Sequence, residues 1–318
     1  MKLPSLEDIK KTHSRIKPFI HRTPVMSSRL INNIFGCELF FKCENFQKVG
    51  AFKFRGATNA VQLLTPEERK RGVVTHSSGN HAAALALAAS DAGVKAMVVM
   101  PLNAPGVKKS AVKGYGAEIT FCEPTQSARE LTTRDIISRT GALLIHPYDN
   151  FNVICGQGTA ALELLDEIPV LDNIIAPVGG GGLLSGTLTA AKGLKKHIKV
   201  YGAEPLNAND AFLSFTTGVL HPSKPPSTIA DGLLTSLSEL TFTIIRNYAS
   251  GILTVSEEAI VECMKLIWER MKIVVEPSSA VALAAIKEHN ELFRGQKTGI
   301  ILSGGNVQLS RLPFTELS

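Results

Sequence analysis

Short apolar runs rich in β-branched residues alternate with helix-forming segments along most of this 318-residue chain. The Ala- and Leu-rich stretches 82–91 and 183–195 are typical of the helices between such runs. Apolar strands that alternate with helices form parallel sheets with helices packed on both faces. The sequence therefore predicts an α/β fold. The predicted strands are residues 73–78, 95–101, 118–122, 143–146, 173–178, 200–203 and 299–303.

At 318 residues the chain is too long for one ordinary hydrophobic core, which predicts two domains. The four strands predicted between residues 73 and 146 can form one compact sheet. We therefore predict a small domain over residues 69–146, and a large domain that combines residues 1–68 with residues 147–318.

The composition, with 44% apolar and 19% charged residues, is that of an ordinary soluble globular protein. No stretch approaches the roughly 18 apolar residues that a membrane helix needs, and the N-terminal segment holds no signal-peptide pattern. We therefore expect a cytoplasmic protein with no membrane partner. The five cysteines form no C-x-x-C pair, which argues against disulfides and zinc. The net charge of +6 comes without a basic block interleaved with aromatics, so no nucleic-acid partner is expected.

A single lysine, Lys53, lies between Phe52 and Phe54 in the segment 50–57. In an apolar pocket, desolvation lowers the pKa of an amine. A neutral amine is what Schiff-base chemistry with a carbonyl compound requires. The alternative is a structural lysine whose aliphatic stem packs beside two core rings.

Four consecutive glycines, Gly179–Gly182, follow a predicted strand and open a predicted helix. Successive backbone N–H groups of such a run converge on an anion, and the helix N-terminus adds favourable potential. The segment lacks the spacing of the Rossmann G-x-G-x-x-G fingerprint, and Thr187 stands where a P-loop has lysine. The run therefore predicts a phosphate site without a nucleotide signature. The alternative is a flexible turn.

A second strand-to-helix junction contains Ser77, Ser78, Asn80 and His81. Its hydroxyl and N–H groups can hold a carboxylate, and the Asn80 amide can donate to a phenolate oxygen. A Ser/His hydrolase is the rival interpretation, but no G-x-S-x-G segment occurs in the chain. The histidines of this segment, His76 and His81, can equally be packing residues.

The last predicted strand ends at Ser303, which is followed by Gly304, Gly305 and Asn306. A serine hydroxyl in this place can hydrogen-bond a ring nitrogen and leave it largely neutral. A plain β-turn is the alternative.

In order along nearly the whole chain, these four segments resemble the fold-type II pyridoxal-phosphate enzymes, which have a tryptophan synthase β-like fold. The similarity is greatest to serine racemases and to threonine/serine dehydratases. It implies two parallel-sheet domains with pyridoxal 5'-phosphate between them. Further segments that carry the resemblance are residues 40–45, 155–159, 229–232 and 268–272.

The resemblance implies a role for each of the four segments. Lys53 forms the Schiff base with the cofactor, and Phe52 lies beside the cofactor ring. The other implied cofactor-binding residues are Gly179, Gly180, Gly181, Gly182 and Leu183 at the phosphate, Asn80 at the ring hydroxyl and Ser303 at the pyridine nitrogen. The implied substrate-binding residues are Ser77, Ser78, Asn80 and His81 at the carboxylate, with Arg129 linked to closure over the substrate.

Glu204 and Asp210 are two carboxylates six residues apart. Carboxylates with a loop carbonyl between them suit a hard divalent cation, although two capping or solvent-facing acids are the ordinary alternative. The resemblance to serine racemases implies a magnesium site, or one for calcium or manganese, formed by Glu204, the carbonyl oxygen of Ala208 and Asp210.

The implied activity is that of an L-serine/L-threonine ammonia-lyase, a dehydratase that gives pyruvate or 2-oxobutanoate plus ammonia. Serine racemase activity is implied beside it, with Lys53 and Ser78 as the two acid–base groups. The metal segment and the segment 77–81 favour small hydroxy amino acids over cysteine synthase chemistry on the same fold. The alternatives are a chain that is mainly a serine racemase, a threo-3-hydroxyaspartate dehydratase, or a pyridoxal-phosphate-binding protein without catalysis.

A homodimer is also expected, and the sequence leaves the oligomeric state open. In mammalian serine racemases an activating nucleotide binds near N-terminal serines and a Lys-Thr pair. Here Arg29 replaces one serine, and Val49 follows Lys48 in place of threonine. Nucleotide activation therefore stays open, as do the preferred substrate and the balance between dehydration and racemisation.

Overall fold

The computed structural model describes residues 2–104, 106–223 and 227–314. The strands within these residues are β1 (Val25–Met26), β2 (Glu38–Cys43), β3 (Val73–His76), β4 (Ala96–Pro101), β5 (Glu118–Cys122), β6 (Leu143–Leu144), β7 (Asn173–Pro177), β8 (Lys199–Pro205), β9 (Gly251–Val255) and β10 (Lys297–Leu302). The helices are α1 (Leu6–Ile16), α2 (Arg29–Phe35), α3 (Lys53–Gln62), α4 (Pro66–Arg71), α5 (Asn80–Asp91), α6 (Gly106–Gly114), α7 (Gln126–Thr140), α8 (Phe151–Glu167), α9 (Gly182–Leu194), α10 (Asp210–Thr217), α11 (Glu239–Tyr248), α12 (Glu257–Met271) and α13 (Pro277–Glu288).

The strands form two sheets, each covered by helices. The larger has the order β1-β2-β10-β7-β8-β9, in which β1 is antiparallel to β2 and the remaining pairs are parallel. The smaller has the order β5-β4-β3-β6 and is parallel throughout. The predicted α/β fold with parallel sheets is confirmed. In such sheets the loops at the carboxyl ends of the strands form the ligand site.

Each predicted strand corresponds to an observed one, with ends that differ by at most two residues. The sequence analysis missed β1, β2 and β9. In β2 the charged residue Lys42 argues against a buried strand, but its ammonium donates to Glu163 at 2.7 Å and is fully buried. A buried charge of this kind is tolerated only because it is paired.

The N-terminal segment contributes β1 and β2 to the sheet that also holds β7 to β10, whereas β3 to β6 form the other sheet. Helix α3 complicates the boundary, since its residues Phe54 and Val61 lie in one core cluster with Val73 and Leu85 of the smaller sheet's layer. The division at residues 68/69 and 146/147 stays a prediction.

Helices α3, α8 and α9 approach one another closely through glycines. A Cβ atom on Gly156 of α8 would lie 2.4 Å from the Cα of Gly56 on α3, and one on Gly186 of α9 would lie 2.5 Å from the amide nitrogen of Gly158. No side chain fits at such contacts. The spacing between the first turns of α3 and α9 is therefore fixed by backbone packing, and those turns begin with Lys53 and Gly182.

A buried ion cluster fastens α3 to its surroundings. The guanidinium of Arg55 donates to Glu44 at 2.7 and 2.8 Å and to Glu163 at 2.8 and 2.9 Å, and Lys42 completes the charge balance. Removing one partner from a buried ion pair costs about 3–5 kcal/mol, because the other charge is left unpaired. The cluster therefore holds the start of α3 in one register.

Candidate active site

A cavity of about 420 Å3 lies where the carboxyl ends of β3, β7 and β10 meet. It brings together every residue that the sequence analysis assigned to the cofactor or the substrate. These lining residues are Phe52, Lys53, Ser77, Ser78, Asn80, His81, Arg129, Gly179, Gly180, Gly181, Gly182, Leu183 and Ser303. Segments separated by up to 251 positions in the chain thus form one site.

Lys53 is the first residue of α3, and its side chain points into this cavity. Its Nζ donates to the carbonyl oxygen of Pro147 at 2.9 Å and lies 5.1 Å from the centre of the Phe52 ring. Burial lowers the pKa of Lys53 to about 8, against the opposing effect of the Glu276 carboxylate. An amine with this pKa is neutral in a useful fraction of molecules near neutral pH.

The two phenylalanines beside Lys53 have different surroundings. Phe52 lines the cavity, whereas Phe54 is fully buried in the core under the smaller sheet. Alternate residues at the start of a helix point in different directions, so only one of the two rings reaches the lysine. The apolar pocket that the sequence predicts around Lys53 thus has one aromatic wall.

The four glycines form a bare backbone turn at the start of α9. A Cβ on Gly179 would lie 2.9 Å from the Cα of Leu233, and one on Gly180 would lie 2.3 Å from the Tyr148 ring. Gly181 has a φ of +83°, a conformation that favours glycine. Neighbouring chain therefore excludes side chains from the turn, and its N–H groups remain available to an anion at the helix N-terminus.

His81 lies in the first turn of α5, directly after the loop that follows β3. The imidazole is buried, and its Nε2 donates to the carbonyl oxygen of Ile145 at 3.0 Å. Burial, together with the nearby Lys53 charge, lowers the pKa of His81 to about 3. This bond links the start of α5 to the segment after β6, and a neutral imidazole with so low a pKa is a poor general acid.

Glu276 is a cavity residue that the sequence analysis missed. It is the N-cap of α13, is 4% exposed, and accepts hydrogen bonds from Asn80 Nδ2 at 2.9 and 3.2 Å. Burial and the nearby Asp231 charge raise the pKa of Glu276 to about 7. The available signal was a glutamate directly before the Pro277 that opens a helix, a weak pattern by itself.

Aromatic residues form a second wall that the sequence did not indicate. The rings of His76 and His146 lie 5.3 Å apart, and those of His146 and Tyr148 lie 4.7 Å apart, both edge to face. The Tyr148 hydroxyl is hydrogen-bonded to Thr235. Lys108 and Asp231 also line the cavity, and the Lys108 ammonium pairs with the Asp231 carboxylate.

Arg129 lies in the first turn of α7 and lines the same cavity. Its buried Nε has no hydrogen-bond partner among the described residues. A guanidinium in this state can still bind a carboxylate, since its donors form a planar fork.

The predicted metal residues lie outside this cavity, at the end of β8. Glu204 accepts from the backbone N–H groups of Ala211 at 3.3 Å and Phe212 at 2.5 Å. Burial and the nearby Asp210 charge raise the pKa of Glu204 to about 9, and burial raises the pKa of Asp210 to about 6. Two neighbouring buried carboxylates suit a divalent cation, and Oδ2 of Asp210 has no hydrogen-bond partner within the described chain.

This donor set is small. Within the part of the chain that the structure describes, no group of three or more His, Cys, Asp or Glu residues could hold a metal. Two carboxylates and the backbone carbonyl of Ala208 would leave the remaining positions of a Mg2+ ion to water, which is how that ion is usually held.

The two residues that bear on nucleotide activation have different surroundings. Val49 has a φ of +57° and lines a second cavity of about 590 Å3, which shares Asn80 and Asn306 with the first cavity. Arg29 is a residue at the start of α2 and does not line that second cavity.

Residues 16–304 match the family model described as pyridoxal-phosphate dependent enzyme. The chain belongs to this family. A serine racemase from Dictyostelium discoideum is 53% identical over 312 residues, which cover 97% of this chain and 96% of that protein. A beta-hydroxyaspartate dehydratase from Paracoccus denitrificans (strain Pd 1222) is 48% identical over 314 residues, covering 99% of this chain and 100% of that protein.

The crystal structure of a T.th. threonine deaminase superposes on this pyridoxal-phosphate enzyme with a TM-score of 0.93 at 45% identity, covering 97% of this chain and 100% of that one. The predicted membership of the fold-type II enzymes is therefore confirmed. In the described part of the chain, every helix is too short or too polar to span a bilayer.

Proposed function

We propose that this pyridoxal-phosphate enzyme is an ammonia-lyase for L-serine and L-threonine, with serine racemase activity as a second function. The observation that carries the proposal is the convergence of Lys53, Ser78 and Gly179–Gly182 on one cavity. The relatives named serine racemase and beta-hydroxyaspartate dehydratase support an activity on small amino acids.

The cavity fits pyridoxal 5'-phosphate. Gly179–Gly182 present bare backbone to the cavity, because a Cβ on any of them would collide with neighbouring chain, and Lys53 offers an amine of lowered pKa to the aldehyde. Ser303 has an uncharged hydroxyl for the ring nitrogen, and Leu183 and Phe52 offer apolar contacts. When bound, the cofactor supplies delocalisation of the electron pair left at the substrate Cα.

Lys53 is the proposed acid–base catalyst of the reaction. With the cofactor and the substrate bound, its neutral Nζ would be placed to take the proton from Cα of the L-amino acid. The bond from Cβ to the hydroxyl then breaks, and the hydroxyl leaves as water with the proton that Lys53 Nζ has taken from Cα. The resulting enamine hydrolyses to pyruvate or 2-oxobutanoate plus ammonia.

Ser77, Ser78, Asn80 and His81 orient the substrate through its carboxylate. Arg129 offers a further cation, which favours 3-hydroxyaspartate as an additional substrate because that compound carries a second carboxylate. Ser78 is the group proposed to return a proton to Cα from the face opposite Lys53, which gives D-serine. A serine hydroxyl is a weak acid and base, so dehydration is the faster reaction.

Three finer proposals accompany this function. Glu204, the Ala208 carbonyl and Asp210 hold Mg2+, or Ca2+ or Mn2+ in its place, since two buried carboxylates of raised pKa are stabilised by a cation. The enzyme is a homodimer, which light scattering after size-exclusion chromatography tests. It works in the cytoplasm, which imaging of a tagged chain in its own cell tests.

The deciding experiment is product analysis. The purified enzyme is incubated with L-serine, L-threonine and threo-3-hydroxyaspartate in turn, and keto acid and D-amino acid are measured in the same sample. Keto acid from L-serine or L-threonine in excess over D-serine supports the proposal. Keto acid from 3-hydroxyaspartate alone would show that 3-hydroxyaspartate, and neither L-serine nor L-threonine, is the substrate. The absence of product from all three compounds, with the cofactor bound, would contradict the proposed catalysis.

A further inference from the structure

Three side chains form a hydrogen-bonded chain along one wall of the active-site cavity. Asn306 Nδ2 donates to the carbonyl oxygen of Val49 at 2.8 Å and to Asn80 Oδ1 at 2.9 Å. Asn80 Nδ2 in turn donates to Glu276, with Oε1 at 2.9 Å and Oε2 at 3.2 Å. The chain ends on a buried carboxyl group.

The hydrogen-bonded chain has an acceptor at each end, the Val49 carbonyl and the Glu276 carboxylate. These two acceptors allow only one orientation for each of the two amides. The Val49 carbonyl can only accept, so Asn306 must present its NH2 group to it. That NH2 group meets the oxygen of Asn80, which turns the NH2 group of Asn80 toward Glu276. Glu276 can accept there, and it also accepts from the backbone N–H of Asn306.

Both acceptors of Asn80 Nδ2 are oxygens of the one Glu276 carboxylate, at 2.9 and 3.2 Å. One N–H can point between these two oxygens, which leaves the second N–H of the amide for another acceptor. No other acceptor for Asn80 Nδ2 lies within the described part of the chain, and the Asn80 side chain lines the cavity. The second N–H is therefore a donor for an anionic oxygen. Were the amide reversed, its carbonyl oxygen would face the same place and repel an anion.

We propose that Glu276 is a positioning residue, whose carboxylate holds the Asn80 amide with one N–H turned into the cavity toward the oxygen of a bound carboxylate or phenolate. The inference rests on the proposed function, since it assumes that Asn80 contacts the substrate or the cofactor ring. Glu276 acts through Asn80 and does not itself need to touch the reacting atoms.

A carboxylate suits this place better than an amide. Both the Asn80 NH2 group and the backbone N–H of Asn306 point at residue 276, and a carboxylate accepts from both. Gly304 makes room for it, because a Cβ there would lie 2.8 Å from Glu276 Oε1. The charged groups that face Glu276 are Lys53, Asp231 and Lys108, of which the last two pair with each other.

The test compares four variants of the holoenzyme with wild type. Glu276→Gln replaces one acceptor oxygen with an NH2 group. The Asn80 NH2 group and the backbone N–H of Asn306 then compete for the single remaining oxygen, so one contact breaks and the Asn80 amide loses its fixed orientation. Asn80→Ala removes the cavity donor itself. The double variant Asn80→Asp/Glu276→Gln restores a hydrogen bond with its direction reversed. Glu288→Gln, at the far end of the same helix α13, is the matched control.

The measurements are KM and kcat for L-serine, the dissociation constant of pyridoxal phosphate from its visible absorbance, and the melting temperature of the cofactor-free protein. We expect Glu276→Gln and Asn80→Ala to raise KM or the cofactor dissociation constant about ten-fold. Glu288→Gln should leave both constants unchanged. The double variant should recover the melting temperature of wild type but not its binding constants, because an oxygen now faces the cavity.

Each contrary result has its own meaning. Wild-type constants in Glu276→Gln, with losses in Asn80→Ala, would overturn the positioning role and leave the proposed function intact. Wild-type constants in Asn80→Ala would instead count against the proposed site and function. If Glu276→Gln is too unstable to assay, the double variant decides, and wild-type binding by it would refute the inference.

Discussion

The Nζ atom of Lys53 lies 2.9 Å from the carbonyl oxygen of Pro147, 94 residues further along the chain. A carbonyl can accept a hydrogen bond from an ammonium or from a neutral amine, so this contact positions Lys53 in either protonation state. The next residue, Tyr148, packs against Gly180 and Gly182 of the glycine turn Gly179–Gly182. One short segment thus sets the lysine and the glycine turn relative to each other.

Lys53 should be the lysine that carries the cofactor. Borohydride reduction of the holoenzyme followed by peptide mapping is expected to find the pyridoxyl label on this residue, because its amine lies in the cavity with a lowered pKa. Lys53→Ala should take up no label. A label on Lys48 or Lys108 instead would show that the assignment is wrong.

The lowered pKa of Lys53 gives a pH dependence with a definite sign. Only the neutral amine attacks the cofactor aldehyde, so the rate of cofactor uptake by the cofactor-free protein should rise with pH and level off above about 8. An ordinary lysine would let the rate rise until roughly pH 10.4. Glu276 raises the pKa of Lys53, so Glu276→Gln should move the midpoint to lower pH. Stopped-flow absorbance measures it.

The glycine turn Gly179–Gly182, which is proposed to hold the cofactor phosphate, should not tolerate a side chain. Gly181→Asp adds a Cβ that would lie 2.7 Å from Leu237 Cδ2 and a negative charge where an anion binds. Cofactor affinity, measured by absorbance titration, is expected to fall at least about ten-fold. Gly93→Asp is the control, because Gly93 also has a positive φ, of +65°, but has open space around it. Equal affinity in a folded Gly181→Asp protein would contradict the phosphate assignment.

The sequence could predict most of the fold because its strands are uninterrupted apolar runs. Val98 and Val99 in β4, for example, are fully buried, and such residues have no other stable place in a parallel sheet. The missed strand β2 carries Lys42, whose pairing with Glu163 depends on a helix 121 residues away. A partner at that distance in sequence is set by tertiary packing and leaves no local pattern.

The candidate site follows the same division. Gly179–Gly182 and Lys53 could be found because a run of glycines and a lysine between aromatic rings are rare local patterns. Glu276 and Tyr148 could not be found in this way. Their place in the site depends on contacts with Asn80 and Gly180, which are distant in sequence. The sequence also suggested two rings beside Lys53, whereas helix geometry turns Phe54 into the core.

A divalent cation at Glu204 and Asp210 should stabilise the protein. Removal of the metal by a chelator is expected to lower the melting temperature by about 5 °C relative to the metal-saturated protein, because a ligand that binds only the folded state stabilises it. Added Mg2+ should restore the melting temperature. Glu204→Gln should lose this response to metal. An unchanged melting temperature and activity after chelation would rule out the site.

The last prediction concerns Ser78 and the balance of the two reactions. Racemisation needs an acid–base group on each face of the substrate Cα, whereas elimination from an L-amino acid needs a base on one face, which Lys53 supplies. Ser78→Ala is therefore expected to lower D-serine formation at least about 100-fold while it keeps measurable pyruvate production from L-serine. Chiral chromatography and a keto-acid assay on the same samples measure both products.

Ser77→Ala is the matched control, because it removes a neighbouring hydroxyl of the same loop that also lines the cavity. It should raise KM for L-serine and slow both reactions together, since both need the substrate carboxylate to be held. A selective loss of D-serine in Ser78→Ala, with a parallel loss in Ser77→Ala, separates proton transfer from carboxylate binding. D-serine formation at the wild-type rate in Ser78→Ala would exclude Ser78 as the second base, and D-serine formed faster than pyruvate by the wild type would reverse the proposed order of the two functions.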